Sequence, residues 1–124
     1  MIHLDTHVVI WTASKLTARL SPAVRRLLER ETLQISPMVA MELETLFEAR
    51  KLKSKPDQLL QILERDHALT RSEARFESVI DAARTFAWTR DPFDRLIVAN
   101  AMSDGMRLIT ADQTILANFK DAVW

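Results

Sequence analysis

The chain has 124 residues, 48% of them apolar and 27% charged, the size and make-up of one soluble globular domain spanning 1–124. It has no cysteine, which excludes disulfides, zinc–thiolate centres and cysteine nucleophiles, and its single glycine argues against a Gly-rich phosphate loop. No apolar run approaches the roughly 20 residues that span a bilayer, and Met1 to Asp5 has neither the basic nor the apolar part of a secretory leader, so no membrane partner and a cytoplasmic location are expected.

Ile2-His3-Leu4 is a short apolar run ending at Asp5, and a helix is expected from His7 to Ala13. Ser21-Pro22 is a helix start, with serine as N-cap and proline at the first helical position, and it opens a helix to about Arg30. Leu33-Gln34-Ile35 alternates as a short strand does. Ser36-Pro37 repeats the start signal for a longer helix to about Lys51, followed by the basic loop Arg50 to Pro56. Helical spacing resumes from Pro56 to Arg65 and again from Ser72 to Phe86. Asp91-Pro92 starts another helix, which ends near Gly105, a natural C-cap. Arg107 to Thr110 is a strand leading to Asp112, and Ala122-Val123-Trp124 is a candidate last strand. Short strands alternating with amphipathic helices predict an α/β fold, a parallel sheet with helices on both faces. In such sheets ligands bind beyond the carboxyl ends of the strands, which singles out Asp5 and Asp112.

Two further acids sit where acids are not expected. In the helix from Pro37, residues Val39, Leu43, Leu46 and Phe47 form the apolar stripe, and Glu42 falls on its edge while Glu44 and Glu48 point away. In the helix from Pro92, Asp91 is the N-cap, which accounts for it. Asp94 projects near the centre of the stripe formed by Ile97, Val98, Ala101 and Met102, and an inward carboxylate without a partner is costly. Each acid also has an ordinary reading: Asp5 and Asp112 as N-caps, Glu42 as an exposed helical glutamate, and Asp94 as an acid favoured in a helix's first turn. Four carboxylates gathered together would repel, and some would hold protons near neutral pH unless a cation intervened. All-oxygen ligands suit Mg²⁺ or Mn²⁺, which would acidify a water, orient its attack on phosphorus and stabilise the leaving oxygen. The equal count of 17 basic and 17 acidic residues is no obstacle to a nucleic-acid partner, because distribution rather than net charge governs association.

These residues resemble the PIN-domain ribonucleases, and more closely the VapC toxins of bacterial and archaeal toxin–antitoxin systems. The landmarks are Leu4-Asp5-Thr6-His7, Leu20-Ser21-Pro22-Ala23, Glu42, the run Arg90-Asp91-Pro92-Phe93-Asp94-Arg95-Leu96-Ile97-Val98-Ala99 and Leu108-Ile109-Thr110-Ala111-Asp112. The resemblance runs over essentially the whole chain, with the stretch from Asp91 to Arg95 its most specific part. It implies a three-layer α/β/α sandwich on a short-stranded parallel sheet and Mg²⁺- or Mn²⁺-dependent endonucleolytic cleavage of RNA. It also implies homodimerisation and neutralisation by a cognate VapB-type antitoxin that inserts a segment into the active-site groove. Asp5, Glu42, Asp94 and Asp112 match the family's acidic quartet, as catalytic and metal-binding residues, and Thr6 and Thr110 match hydroxyls that hold those carboxylates from behind. Met41 departs from the tryptophan that close relatives often carry.

Arg95, Lys53 and Lys55 are candidates for neutralising RNA phosphates, against the ordinary reading of the lysines as a solvated loop. His3 is expected to be packed in the first strand and His67 to be solvated, while His7 lies near Asp5 in sequence, where an approach to RNA is the less favoured of its two readings. Trp11, Trp88 and Phe93 read as core or dimer contacts rather than base-stacking platforms. Two other functions fit the pattern less well. A phospho-accepting receiver domain would need paired acids after its first strand and a lysine after a late one, and neither is present. A catalytically silent PIN-like binding module would not need the full quartet.

Overall fold

The computed structural model describes residues 1–124 and contains five strands and seven α-helices. In chain order these are β1 (Ile2–Leu4), α1 (Thr6–Ala13), α2 (Pro22–Arg30), β2 (Leu33–Ile35), α3 (Pro37–Glu48) and α4 (Pro56–His67). There follow β3 (Thr70–Arg71), α5 (Phe76–Ala83), α6 (Pro92–Asp104), β4 (Leu108–Ile109), α7 (Gln113–Asn118) and β5 (Ala122–Val123). A 3₁₀ turn at Thr17–Arg19 links α1 to α2. The strands form one sheet in the order β3-β2-β1-β4-β5, and every neighbouring pair is parallel.

Helices cover both faces of this sheet. The proof is β1, where successive side chains point to opposite faces and yet Ile2, His3 and Leu4 are all fully buried. Such two-sided burial is the usual state of a parallel sheet, because each return crossover lays a helix on a face. The core continues through Leu33 and Ile35 of β2, Leu108 and Ile109 of β4, Val8 and Val9 of α1, and Ile97 and Val98 of α6. The result is the three-layer α/β/α sandwich, and its crossovers dictate where a ligand can sit. From β1 the chain winds outward through β2 to β3, then returns to place β4 on the other side of β1. The helices after β1 and β4 therefore leave in opposite directions, opening a crevice above the carboxyl ends of those two strands.

Helix starts follow local chemistry closely. All four prolines occupy the first helical turn, in α2, α3, α4 and α6, where a missing N–H costs nothing. The Ser21 hydroxyl accepts from the Val24 amide at 3.1 Å, and Ser36 from Met38 at 3.2 Å. Asp91 accepts from the Asp94 amide at 3.0 Å.

Several boundaries differ from the sequence expectation. α3 ends at Glu48 rather than near Lys51, because Arg50 turns into the left-handed region (φ 60°). α4 runs two residues past Arg65, to His67. Strand β3 is additional, and the residues just beyond it extend that edge: the Ser72 amide donates to the Ile35 carbonyl at 2.8 Å. Ser72 to Arg75 therefore cannot start a helix, and α5 occupies Phe76–Ala83 instead of the expected Ser72 to Phe86.

Candidate active site

Asp5 directly follows β1 and caps α1, its Oδ1 accepting from the Thr6 amide at 2.8 Å. The Thr110 hydroxyl, just past β4, donates to Asp5 Oδ2 at 2.6 Å and accepts from the Asp112 amide at 3.0 Å. Asp112 in turn caps α7 through the Ile115 amide at 2.9 Å. The capping readings of Asp5 and Asp112 are thus correct, and compatible with a site: one carboxylate oxygen of each accepts from a helix-start amide. Glu42 reaches the same place from the middle of α3 and is held there by the Thr6 hydroxyl, which donates to its Oε1.

Asp94 enters from the first turn of α6. Its amide is capped by Asp91, but its carboxylate receives no hydrogen bond or ion pair from the protein. Asp5, Glu42, Asp91, Asp94 and Asp112 line one cleft of about 390 Å³, together with His7, Trp11 and Ala111. A larger, more apolar hollow of about 560 Å³, lined by residues such as Phe86, Trp88 and Phe119, lies away from this cluster and offers no comparable set of titratable groups.

The acids load one another electrostatically. Burial and the negative charges of Asp5, Asp91, Asp112 and Glu42 push the Asp94 carboxyl up to about 7. Burial also raises Asp5 and Glu42, although Thr110, the Thr6 amide and His7 pull Asp5 back and the Thr6 hydroxyl and His7 pull Glu42 back. Carboxylates gathered in one partly buried cleft raise one another in this way. The donor set is entirely oxygen and suits a hard divalent ion. The side chains ring the cleft rather than a point, since no three of them stand at ligand spacing around a common centre. Asp94, with no protein donor to give up, is the member freest to turn toward an ion.

His7, noted in the sequence for its closeness to Asp5, and Trp11, read there as a core or dimer contact, both line the cleft. The signal was available: they stand four apart on a helix capped by Asp5, which puts them on one face above the crevice. Arg95, by contrast, does not line the cleft. Its Nε donates to the Ala83 carbonyl at 2.9 Å and its Nη2 to the Phe86 carbonyl at 2.7 Å, and its guanidinium lies 5.8 Å from the Phe86 ring centre. It straps the end of α5 to the start of α6. Lys53 and Lys55 are exposed in the loop before α4 and do not line the cleft. Glu44 is exposed and faces a different groove, beside Pro37 and Pro56. His3 is fully buried and bound to Asp104 at 2.7 Å, and His67 is half-buried rather than solvated.

A doubly wound parallel sheet with a carboxylate cleft at its switch point defines an α/β protein with a candidate ligand site at that edge. The sequence profile of the PIN domain matches residues 2–121, and the chain belongs to that family. Among solved structures, the fold matches a chain of the VapBC2 complex from Rickettsia felis bound to a DNA fragment from their promoter. The TM-score is 0.67 and the identity 18%, over 99% of this chain and 96% of the other. No curated protein matches the sequence. No helix is long and apolar enough to cross a membrane.

Proposed function

We propose that the protein is a Mg²⁺- or Mn²⁺-dependent endoribonuclease of the VapC toxin type. In this reading Asp5, Glu42, Asp94 and Asp112 hold the metal and carry the cleavage of an RNA phosphodiester. The observation that carries it is Asp94: an inward carboxyl without a protein donor, crowded by four other acids until its proton is held to about 7. A group in that state is costly in a purely structural role and useful as a cation ligand. A divalent ion at the site supplies positive charge for the phosphate oxygens and lowers the pKa of an attacking water. Thr110 and Thr6 fix the carboxylates they touch, so fewer side chains have to be ordered when the ion arrives. Membership of a family whose domains are generally nucleases supports the reaction class, and the VapBC2 likeness supports a cognate antitoxin as partner. Homodimerisation, RNA as substrate, and Lys53 and Lys55 as phosphate contacts belong to the same proposal.

The test is cleavage of a panel of structured RNAs by purified protein, freed of co-purifying antitoxin, in Mg²⁺, Mn²⁺ or EDTA, beside an Asp94→Asn variant. Metal-dependent cleavage that disappears in the variant is expected. Cleavage that survives both EDTA and the substitution would overturn the assignment. Where no RNA is cut, calorimetric titration with Mn²⁺ decides: binding lost in Asp94→Asn keeps the metal site, and no binding removes it.

A further inference from the structure

The cleft has a wall of a different chemistry from its acids. Trp11, half-buried, lines it from the second turn of α1. The His7 ring stands 5.8 Å from the Trp11 ring at an interplanar angle of 49°. Trp124, at the chain's end, meets Trp11 edge-on at 6.0 Å and 66°. The Arg19 guanidinium, from the 3₁₀ turn, lies 5.8 Å from the Trp11 ring centre. Arg19 is exposed and forms no ion pair with any carboxylate of the protein. Packing explains the edge of Trp11 that rests on Trp124 and the core. It does not explain why an indole, an exposed imidazole and a guanidinium free of acidic partners collect beside a crevice otherwise lined mainly by carboxylates.

We propose that His7, Trp11 and Arg19 form a stacking ledge for an unpaired nucleobase next to the cleft in which the acids, with a cation among them, would receive the phosphate. The inference rests on the ribonuclease reading and deepens it by assigning a base-binding element: a base engaged through its flat face by these three residues. Trp11 supplies the platform and is held by Trp124 behind it. His7, one helical turn nearer Asp5, borders both the ledge and the acids. Arg19 lies over the indole and, having no acidic partner, can release the ring to a base and pair with a phosphate. Aromatic rings and arginine planes recognise single strands this way, because every base has a π-face and its stacking tolerates sequence. Purines, with the larger face, are favoured. A base inside a duplex is already stacked and does not reach the ledge.

The probe is a short oligoadenylate, with a matched oligomer carrying abasic sites as control, bound to protein with the acidic quartet intact, in Ca²⁺ in place of Mg²⁺ and over a time in which the oligomer is verified to stay uncut. Tryptophan emission should be quenched on binding, and most of the quenching should vanish in Trp11→Phe and persist in Trp88→Phe. Trp11→Leu should weaken oligoadenylate binding roughly tenfold or more, Trp11→Phe should recover most of it, and the abasic oligomer should be indifferent to both. His7→Ala, at an exposed position, should weaken binding by a smaller factor and covers the case in which Trp11→Leu does not fold. Quenching unchanged in Trp11→Phe, or equal binding of the abasic oligomer, would overturn the ledge while leaving metal-dependent cleavage by the parent intact. A parent that neither cuts nor binds RNA would instead bring down the ribonuclease reading, and the ledge with it.

Discussion

The Thr110 hydroxyl and Asp5 Oδ2 lie 2.6 Å apart, joining residues separated by 105 positions at the carboxyl ends of the neighbouring strands β1 and β4. Thr110 is fully buried and Asp5 nearly so. Because the same oxygen accepts from the Asp112 amide, one hydroxyl orders the acids that follow both strands. Thr110→Val keeps the shape and removes both interactions. We expect activity to fall roughly 10- to 100-fold, as it does when a group supporting a metal ligand is lost, and stability to fall by about 1–3 kcal/mol. Thr110→Ser should restore most of each. Steady-state cleavage rates and urea unfolding give the two numbers, and full activity in Thr110→Val would show that Asp5 needs no such support.

Asp94 predicts an unusual pH dependence in metal-free protein. Its carboxyl rises from an ordinary 3.8 to about 7 in the folded chain, so between those values the folded state binds more protons than the unfolded state. Stability contributed by this group is therefore present at low pH and is lost as pH rises from about 4 to about 7. The full difference corresponds to roughly 4 kcal/mol, which solvent screening at a half-exposed group reduces to on the order of 1–2 kcal/mol. Asp5 and Glu42, also raised, act in the same direction. His3 acts oppositely below about 6.5, because burial disfavours its protonated form. The informative quantity is thus the difference between parent and Asp94→Asn. In EDTA the variant should gain on the parent as pH rises toward 8, and Mn²⁺ should stabilise the parent more than the variant. A pH-independent difference would mean that Asp94 is not loaded by its neighbours.

The parts of the fold legible in sequence were those written in local chemistry. Proline with a capping serine or aspartate marked three helix starts, and the alternation at Leu33 to Ile35 marked β2. Asp94 was legible because a carboxylate in an apolar stripe contradicts the helix's own pattern. What stayed hidden depended on partners distant in sequence. β3 is two exposed residues with no alternation, recognisable only by its pairing with β2. The network in which Asp104 accepts from Ser72 at 2.7 Å and from Asn100 at 3.1 Å, and meets His3, draws on three separate segments: β1, the stretch after β3, and α6. The contacts of Arg95 stayed hidden for the same reason: a basic residue beside an acidic motif suggests substrate, and nothing local reveals the carbonyls of Ala83 and Phe86.

The two kinds of basic residue should therefore separate experimentally. Arg95→Lys keeps the charge but replaces a planar fork, whose separate nitrogens reach the two carbonyls, with a single nitrogen, and should cost about 1–3 kcal/mol in unfolding free energy while leaving the salt dependence of RNA binding unchanged. Lys53→Ala/Lys55→Ala should do the reverse. Exposed loop lysines cost little, within about 0.5 kcal/mol, and each lost phosphate contact should reduce the slope of log K against log salt by roughly 0.7 on a single strand. An unchanged slope in the double variant would remove that loop from the RNA path.

The ends of α4 and α6 offer a paired stability test. Both helices stop in the left-handed region, α6 at Gly105 (φ 64°) and α4 at Ala68 (φ 52°). Glycine enters that region freely, whereas a Cβ there crowds the following carbonyl. A Cβ built at Gly105 meets nothing within 4 Å, so Gly105→Ala isolates the backbone term and should destabilise by about 1 kcal/mol. Ala68→Gly should relieve the same strain at an exposed position, partly offset by the greater freedom glycine has in the unfolded chain, for a net gain of roughly 0.5 kcal/mol. Opposite signs from the two substitutions, measured by chemical denaturation, are the expected result. A loss of stability in Ala68→Gly would mean that unfolded-chain entropy outweighs the strain, or that α4 does not end in this conformation in solution, and amide chemical shifts at Leu69 would separate the two.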